Sequence, residues 1–341
     1  MSGKPIIAIT VGDPFGIGPE VTVKALSHSE IYNICRPVVI ADTKIIKDII
    51  DITNMDLKVN TIINPGEGLY KFGTIDVIDV IGVNEYKFGQ ITIEGGKASF
   101  AYIKKAIELA MKKEIDAVTT GPINKKTLNM AGFHYAGHTE IFADLTNTKS
   151  VCMMLTDKHM RVSHVTTHIP MKDVSEKITK QRVLEVIRLT DDAVKKMSIK
   201  NPKIAVAGYN PHSGEDGLFG DEEIEKITPA IEEAKAEGIL AEGPVPPDTV
   251  FSKMMGKQFD AVVAMYHDQG HIPMKLAGFK FESETGLMGA MSGVNVTLGL
   301  PIIRTSVEHG VAFEIAGKGI ANDQSMLDSI VLAAKMADIR K

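Results

Sequence analysis

Short apolar runs rich in β-branched residues alternate along this chain with longer stretches of helical period. The runs Ile6–Val11, Val38–Ala41, Ile115–Thr119, Val162–Val165, Ile204–Ala207, Ala261–Met265 and Val294–Leu298 read as buried strands. Between them, Pro19–Leu26, Lys44–Ile50, His138–Thr146, Glu176–Met197, Glu222–Glu237 and Asp323–Ile339 read as helices, the first with proline in its opening turn. A further helix, Lys97–Lys113, places Phe100, Ile103, Ile107 and Ala110 on one face. This βαβ alternation predicts an α/β protein with a largely parallel sheet covered by helices. Residues 54–96 have the least regular pattern and are expected to contain an antiparallel excursion. No internal repeat or low-complexity linker is visible. The best candidate for a crossing between two lobes is Gly132–Gly137.

Composition narrows the class. At 341 residues the chain is too long for one small core and suits two lobes. A net charge of −5 with no basic stripe argues against nucleic acid as a partner. An anionic substrate would need local basic residues rather than a global field. Cys35 and Cys152 are the only cysteines, so neither a disulfide scaffold nor a thiolate zinc site is expected. The opening apolar run is too short for a signal peptide and no stretch approaches the ~18 apolar residues of a membrane span. A soluble cytoplasmic protein is the expectation.

Three of the strand patterns run into a histidine: Val162–Val165 toward His168, Ile204–Ala207 toward His212, and Ala261–Met265 toward His267. Ligands of open α/β sheets bind beyond the carboxyl ends of strands. Three imidazoles there could hold one divalent metal with a position open for substrate. Any one of them could equally be structural, and the spacings match no local zinc motif. The sequence His267-Asp-Gln-Gly-His271 crowds two imidazoles and a carboxylate into one loop, where Asp268 could orient a ligand or add one. His28, His134 and His159 read as surface or packing residues, and His164 as a core or edge residue. At the start, Gly12-Asp-Pro-Phe-Gly16-Ile-Gly18-Pro-Glu20 joins a strand to a helix. It fails the Rossmann fingerprint because Val21 stands where the third small residue belongs, and it lacks the Walker Lys-Ser/Thr. A tight turn packing helix on sheet is the competing explanation.

Further along, Gly137-His138-Thr139-Glu140 opens a predicted helix, whose free N–H groups would favour an oxyanion; plain capping by Thr139 is the alternative. Lys275, Asn295 and Arg304 flank the last strand pattern and are candidate substrate contacts, Arg304 for bidentate anion recognition. Asp248, in Pro-Pro-Asp-Thr, could be an acid or base, or a loop cap.

The segments GDPFGIGPE, TTGPINK, GHTE, THIP, NPHSGEDGLFGDEE, PPDT, AMYHDQGHIPMK and GVNVTLGLPIIRTSVEHG occur in this order. Together they resemble the 4-hydroxythreonine-4-phosphate dehydrogenase family, from about residue 5 to the C-terminus. Two of them, NPHSGEDGLFGDEE and HDQGHIPMK, look closer to the branch acting on 4-phospho-D-threonate or 4-phospho-D-erythronate than to the pyridoxal phosphate biosynthetic branch. One departure is the segment Phe279–Gly293, longer than the family's short loop, which could cover the site or extend an interface.

The resemblance implies a fold similar to isocitrate and isopropylmalate dehydrogenases: two α/β/α lobes with the active site in the cleft between them. One lobe would comprise residues 1–131 and 305–341, the other 132–304. It implies metal ligands at His168, His212 and His267, in a site shared between the subunits of a homodimer. It implies substrate contacts at His138, Thr139, Lys275, Asn295 and Arg304, with Lys275, Asp248 and Asp268 as candidate catalytic groups. The segment His309–Asn322 is similar to the adenosine-binding loop of those dehydrogenases, so NAD (or NADP) would meet His309, Gly310, Gly317 and Asn322. The divalent cation would be zinc, cobalt, manganese or magnesium. The expected activity is oxidation and decarboxylation of a 4-phosphorylated 3-hydroxy four-carbon acid to dihydroxyacetone phosphate and CO2. Alternatives are 4-phosphohydroxy-L-threonine as substrate, a zinc hydrolase using the same histidines, or a phosphometabolite-binding protein without catalysis.

Overall fold

All seven apolar runs read as strands form strands in the computed structural model, which describes residues 3–80, 82, 83, 86–281, 288–291 and 293–338. In chain order these and the strands missed by pattern are β1 (Ile6–Thr10), β2 (Arg36–Ala41), β3 (Lys58–Ile62), β4 (Thr74–Asp79), β5 (Ala117–Thr120), β6 (Cys152–Thr156) and β7 (Arg161–His164). They continue with β8 (Ile204–Ala207), β9 (Ala241–Val245), β10 (Ala261–Ala264), β11 (Phe279–Phe281), β12 (Met288–Met291), β13 (Val294–Leu298) and β14 (Ile303–Val307). Among the described residues, no helix is long and apolar enough to cross a membrane.

The chain divides into two compact units: residues 1–151, 290–294 and 300–341, and residues 152–289 and 295–299. The expected crossing at 132–137 therefore falls too early, and the discontinuous return begins slightly before residue 305. The reason is local. Phe100, on the helix Ile93–Met111, stacks on Phe133 at 3.8 Å between ring centroids and lies 6.2 Å from Tyr135. That aromatic pile holds residues 132–137 on the first unit instead of releasing them as a linker.

In the first unit the strand order is β3-β4-β2-β1-β5-β14, with every described pairing parallel. This corrects the expectation for residues 54–96: β3 and β4 extend the parallel sheet and make no antiparallel excursion. Their pattern is weak because β3 is a half-exposed edge strand, Lys-Val-Asn-Thr-Ile, with only Ile62 buried. The central strands β1, β2 and β5 are buried on both faces, so their runs stay apolar. Where hydroxyls enter the sheet they pair: Thr119 Oγ1 and Thr305 Oγ1 lie 2.9 Å apart, and Thr305 also reaches the Ser329 carbonyl.

In the second unit the order is β13-β6-β7-β10-β8-β9. Strands β7, β10, β8 and β9 run parallel, and β6 pairs antiparallel with β7. Behind them, the predicted helix Glu176–Met197 is broken into Val174–Lys177 and Lys180–Lys196, where Thr179 caps the second piece by accepting from Arg182 N. Buried Val162, Ala205, Val262 and Ala264 form part of the core with Met254, Phe259 and Met274. Of the segment Phe279–Gly293, the flanks form the two-stranded ribbon β11-β12. Its residues 282–287 and 292, on which the covering or interface role was placed, lie outside the described ones.

Candidate active site

In the second unit, the three central parallel strands deliver the three histidines. His168 follows β7 by four residues, His267 follows β10 by three, and His212 follows β8 by five. Since β10 lies between β7 and β8 with all three parallel, these histidines share the carboxyl edge of the sheet. Asp248 follows the neighbouring strand β9 in an exposed turn, so it too belongs to this edge. Gln269 ties the row together: its Oε1 accepts from Met265 N at 2.6 Å and its Nε2 donates to the Gly208 carbonyl at 2.8 Å. One buried amide thus fixes the exits of β10 and β8 relative to each other. The sequence offered no signal for it beyond its place between two candidate residues.

The segment read as a loop at 267–271 is instead the first turn of the helix His267–Gly278. That changes the geometry, because i and i+4 share a helix face. His271 stacks on His267 with ring centroids 3.6 Å apart and planes 12° apart, and its Nδ1 lies 2.9 Å from the His267 carbonyl. Behind it lies buried His164, 4.7 Å from the His271 ring. Gly270 permits this approach, since a Cβ there would come within 2.3 Å of His164 Nε2. Burial pushes the His164 imidazole down to about 3 and His271 to about 4, with the crowding of neighbouring imidazoles, and for His271 also Lys275, adding to the effect. Both are neutral at ordinary pH.

The His267 ring is oriented for ligation. Its Nδ1 sits 2.7 Å from Asp268 Oδ1, and a carboxylate there holds the proton on Nδ1 and leaves the Nε2 lone pair outward. The same contact, and to a lesser degree the charge of Lys275, holds the Asp268 carboxyl below its usual range. Asp268 thus contacts the His267 ring directly, and Lys275 lies two turns along the same helix. The His168 ring is 5.5 Å from that of His267. Among the described residues, no three His, Cys, Asp or Glu side chains of this one chain gather closely enough to hold an ion. The donor chemistry fits a divalent cation at the His168–His267 pair, and His212 stands on the adjoining strand exit.

The first unit brings a helix start, a buried arginine and a buried imidazole nitrogen into play. The helix His138–Leu145 starts after Gly137 with no side-chain cap, so capping by Thr139 is not realised. Its first N–H groups are left for a ligand or water. Arg304 on β14 is buried; its Nη2 donates to Thr120 Oγ1 at 2.7 Å and its guanidinium lies over the Phe142 ring at 5.6 Å. Burial disfavours its charge and Glu140 partly restores it. His138, pushed well below its ordinary value by burial and then by Arg304, is neutral, and its buried Nε2 has no hydrogen-bond partner among the described residues. In the second unit, Asn295 on β13 likewise has a buried Oδ1 with no partner among the described residues.

The glycine-rich start has a structural task. Gly12 has a φ of 74°, and a Cβ on it would lie 2.1 Å from the Pro122 carbonyl oxygen. Ile17 N donates to Val311 O at 2.9 Å, and a Cβ on Gly16 would lie 2.8 Å from that same oxygen. Fully buried Glu20 accepts from Gly319 N and Ala321 N, while Lys24 donates to the carbonyls of the same two residues. Residues 12–24 therefore cradle the loop 309–322; this use of Glu20 and Lys24 was missed from sequence. Asp42, just after β2, caps the helix Thr43–Thr53 and accepts from Val83 N. In the loop, His309 Nε2 is buried with no partner among the described residues, while Nδ1 meets the Gly310 carbonyl. Gly310 faces open space and Gly317 adopts a φ of 74° against Phe88. Asn322 spends its Oδ1 on Gln324 N at 3.0 Å, leaving only its amide nitrogen for a ligand. An unpartnered imidazole nitrogen beside an open glycine fits a dinucleotide.

The profile of the family described as "Pyridoxal phosphate biosynthetic protein PdxA" matches residues 33–333. A "Putative D-threonate 4-phosphate dehydrogenase" of Halalkalibacterium halodurans is 46% identical over 99% of this chain and 98% of its own. Its counterpart in Clostridium botulinum (strain Langeland) is 45% identical over 98% of each chain. The crystal structure of a 4-hydroxythreonine-4-phosphate dehydrogenase from Burkholderia phymatum is 44% identical, covers 98% of this chain and 99% of its own, and superimposes with a TM-score of 0.85. The chain belongs to the PdxA (4-hydroxythreonine-4-phosphate dehydrogenase) family, whose members are oxidoreductases acting on CH–OH groups.

Proposed function

We propose that this protein uses NAD to oxidise the 3-hydroxyl of a four-carbon acid phosphorylated at C4, namely 4-phospho-D-threonate or 4-phospho-D-erythronate. The product is a β-keto acid that loses CO2 to leave dihydroxyacetone phosphate. The observation that carries this reading is the His168–His267 pair at the carboxyl edge of the sheet, with His267 held by Asp268 in the tautomer a metal requires. The names of the curated relatives favour the sugar-acid substrate over the amino-acid one.

His168, His212 and His267 would hold a divalent cation, which would supply the Lewis acidity that favours ionisation of the substrate hydroxyl and steadies the carbonyl oxygen that replaces it, and NAD would supply the hydride acceptor for C3. The chain's own groups do the rest. Arg304 binds an anionic end of the substrate, and neutral His138 donates or accepts a hydrogen bond without adding charge. Thr139 and the uncapped helix start orient the same end, and Asn295 offers its unpartnered Oδ1 to a hydroxyl. As the C1–C2 bond breaks, its electron pair passes toward the C3 oxygen, and Lys275 delivers the proton that C2 takes up. Asp248 is the remaining acid–base group on this edge. His309, Gly310, Gly317 and Asn322 hold the adenosine end of the cofactor, NADP being its alternative. A homodimer completes each site. The protein works in the cytoplasm.

The test is direct. Purified protein is assayed for NADH formation and CO2 release with 4-phospho-D-threonate, 4-phospho-D-erythronate and 4-phosphohydroxy-L-threonine, across zinc, cobalt, manganese and magnesium. The two hydroxy acids should turn over fastest, with one CO2 per NADH. A preference for the amino acid would assign the protein to pyridoxal phosphate biosynthesis instead. No NADH with any of the three would overturn the reading.

A further inference from the structure

His212 sits in an unusual piece of backbone. Six consecutive residues, His212 to Gly217, have positive φ: 52°, 57°, 83°, 43°, 55° and 93°. Glycine accepts this conformation freely, but His212, Ser213, Glu215 and Asp216 do not, since their Cβ atoms crowd the following carbonyl oxygens. Such strain persists only when the surroundings over-determine it. Within the turn, Gly217 N and Phe219 N both donate to Gly214 O, and Leu218 N donates to Glu215 O.

What pins the turn from outside is a pair of carboxylates. Glu223 is buried; its Oε1 accepts from Tyr209 N and Asn210 N, both at 2.7 Å, and its Oε2 accepts from Asn210 Nδ2 at 2.9 Å. Glu222 takes the same Asn210 amide at 2.8 Å through Oε2 and the Ser175 hydroxyl through Oε1. Gly214 packs against the arrangement, a Cβ there falling 2.9 Å from Glu223 Oε2. Glu223 opens a π-helical turn, Glu223–Ile227, a distortion frequent at functional sites. Three donors fall on one buried carboxylate immediately before a strained histidine.

We propose that Glu223 is a positioning residue for His212. Its carboxylate clamps the backbone at Tyr209 and Asn210, which commits His212–Gly217 to the left-handed turn and aims the imidazole at the cation site. This rests on the reading of His212 as a metal ligand. The turn is the cost of that aim, and without the clamp the segment relaxes to right-handed or extended backbone and carries the ring away.

The experiment is titration of the metal-free full-length protein with cobalt(II), followed by its visible absorption, in the wild type, His212→Ala, Glu223→Ala, Glu223→Gln and the His212→Ala/Glu223→Ala double variant. NAD binding to each checks the rest of the fold. Glu223→Ala should weaken cobalt binding roughly 10- to 100-fold, in the range of lost orienting partners, and give the spectrum of His212→Ala. The double variant should bind no more weakly than His212→Ala alone. Glu223→Gln keeps an oxygen for the two backbone amides and should fall between the wild type and Glu223→Ala, so the proposal stays testable if the alanine variant does not fold. Wild-type affinity and spectrum in Glu223→Ala, or full additivity in the double variant, would overturn the proposal and leave the metal site standing. Unchanged cobalt binding in His212→Ala would remove the metal reading itself.

Discussion

Acidification should unfold this protein partly through one buried imidazole. His164 is fully buried, its Nδ1 3.3 Å from the Met153 carbonyl and its Nε2 without a partner among the described residues. Its folded pKa lies at about 3, against about 6.5 for histidine in an unfolded chain. The folded value is depressed, so the stability it reflects is present above about pH 6.5 and is lost as pH falls toward 3. Below about 6.5 the unfolded chain binds a proton that the native chain refuses. Each pH unit in that window costs about 1.4 kcal/mol, which amounts to about 2 kcal/mol between pH 7 and pH 5. In His164→Leu the proton-binding group is gone from both states. Urea unfolding followed by far-ultraviolet circular dichroism suits the measurement, because the chain has no tryptophan. Between pH 7 and pH 5 the wild type should lose about 2 kcal/mol more than His164→Leu. Equal losses would mean that His164 titrates in the native state as it does in the unfolded one, and the burial argument would fail.

Other consequences are as specific. Asp268→Asn should leave the helix at 267–278 intact but unfix the His267 tautomer, lowering metal affinity or turnover roughly 10- to 100-fold, measured by metal titration and NADH formation. Glu20→Ala leaves Lys24 and two amides of the 319–321 segment without their buried acceptor. NAD affinity should fall, and stability should drop by roughly 3–5 kcal/mol; unchanged NAD binding would show that the cradle does not set the loop. Gly12→Ala forces a Cβ against the Pro122 carbonyl at positive φ, and should lower the melting temperature where Gly66→Ala, in open space, does not.

How much could be read from the chain alone follows from burial on two faces or one. β1, β2, β5, β8 and β10 lie inside the sheets and announce themselves as unbroken apolar runs. The edge strands β3 and β9 carry polar residues on the open side, and β4, buried as it is, ends among acidic residues; these patterns were lost. The helix at 267 was read as a loop because Gly270 and Pro273 are poor helix formers. Yet Gly270 is there for His164, and Pro273 lies in the helix's second turn. The histidines at the strand ends were legible because polar residues terminate apolar runs. Glu223, Gln269 and Glu20 were not, since each acts by accepting or donating to backbone groups that only the folded chain brings near. The left-handed turn after Asn210 was equally silent: Gly214 and Gly217 permit it, but nothing in Ser213, Glu215 or Asp216 demands it.

X-ray absorption at the metal edge of the zinc- or cobalt-loaded protein tests the central claim most directly. Three imidazole nitrogens at about 2.0–2.1 Å, falling to two in His212→Ala, are the predicted result. A shell of oxygen alone, unchanged in that variant, would contradict it.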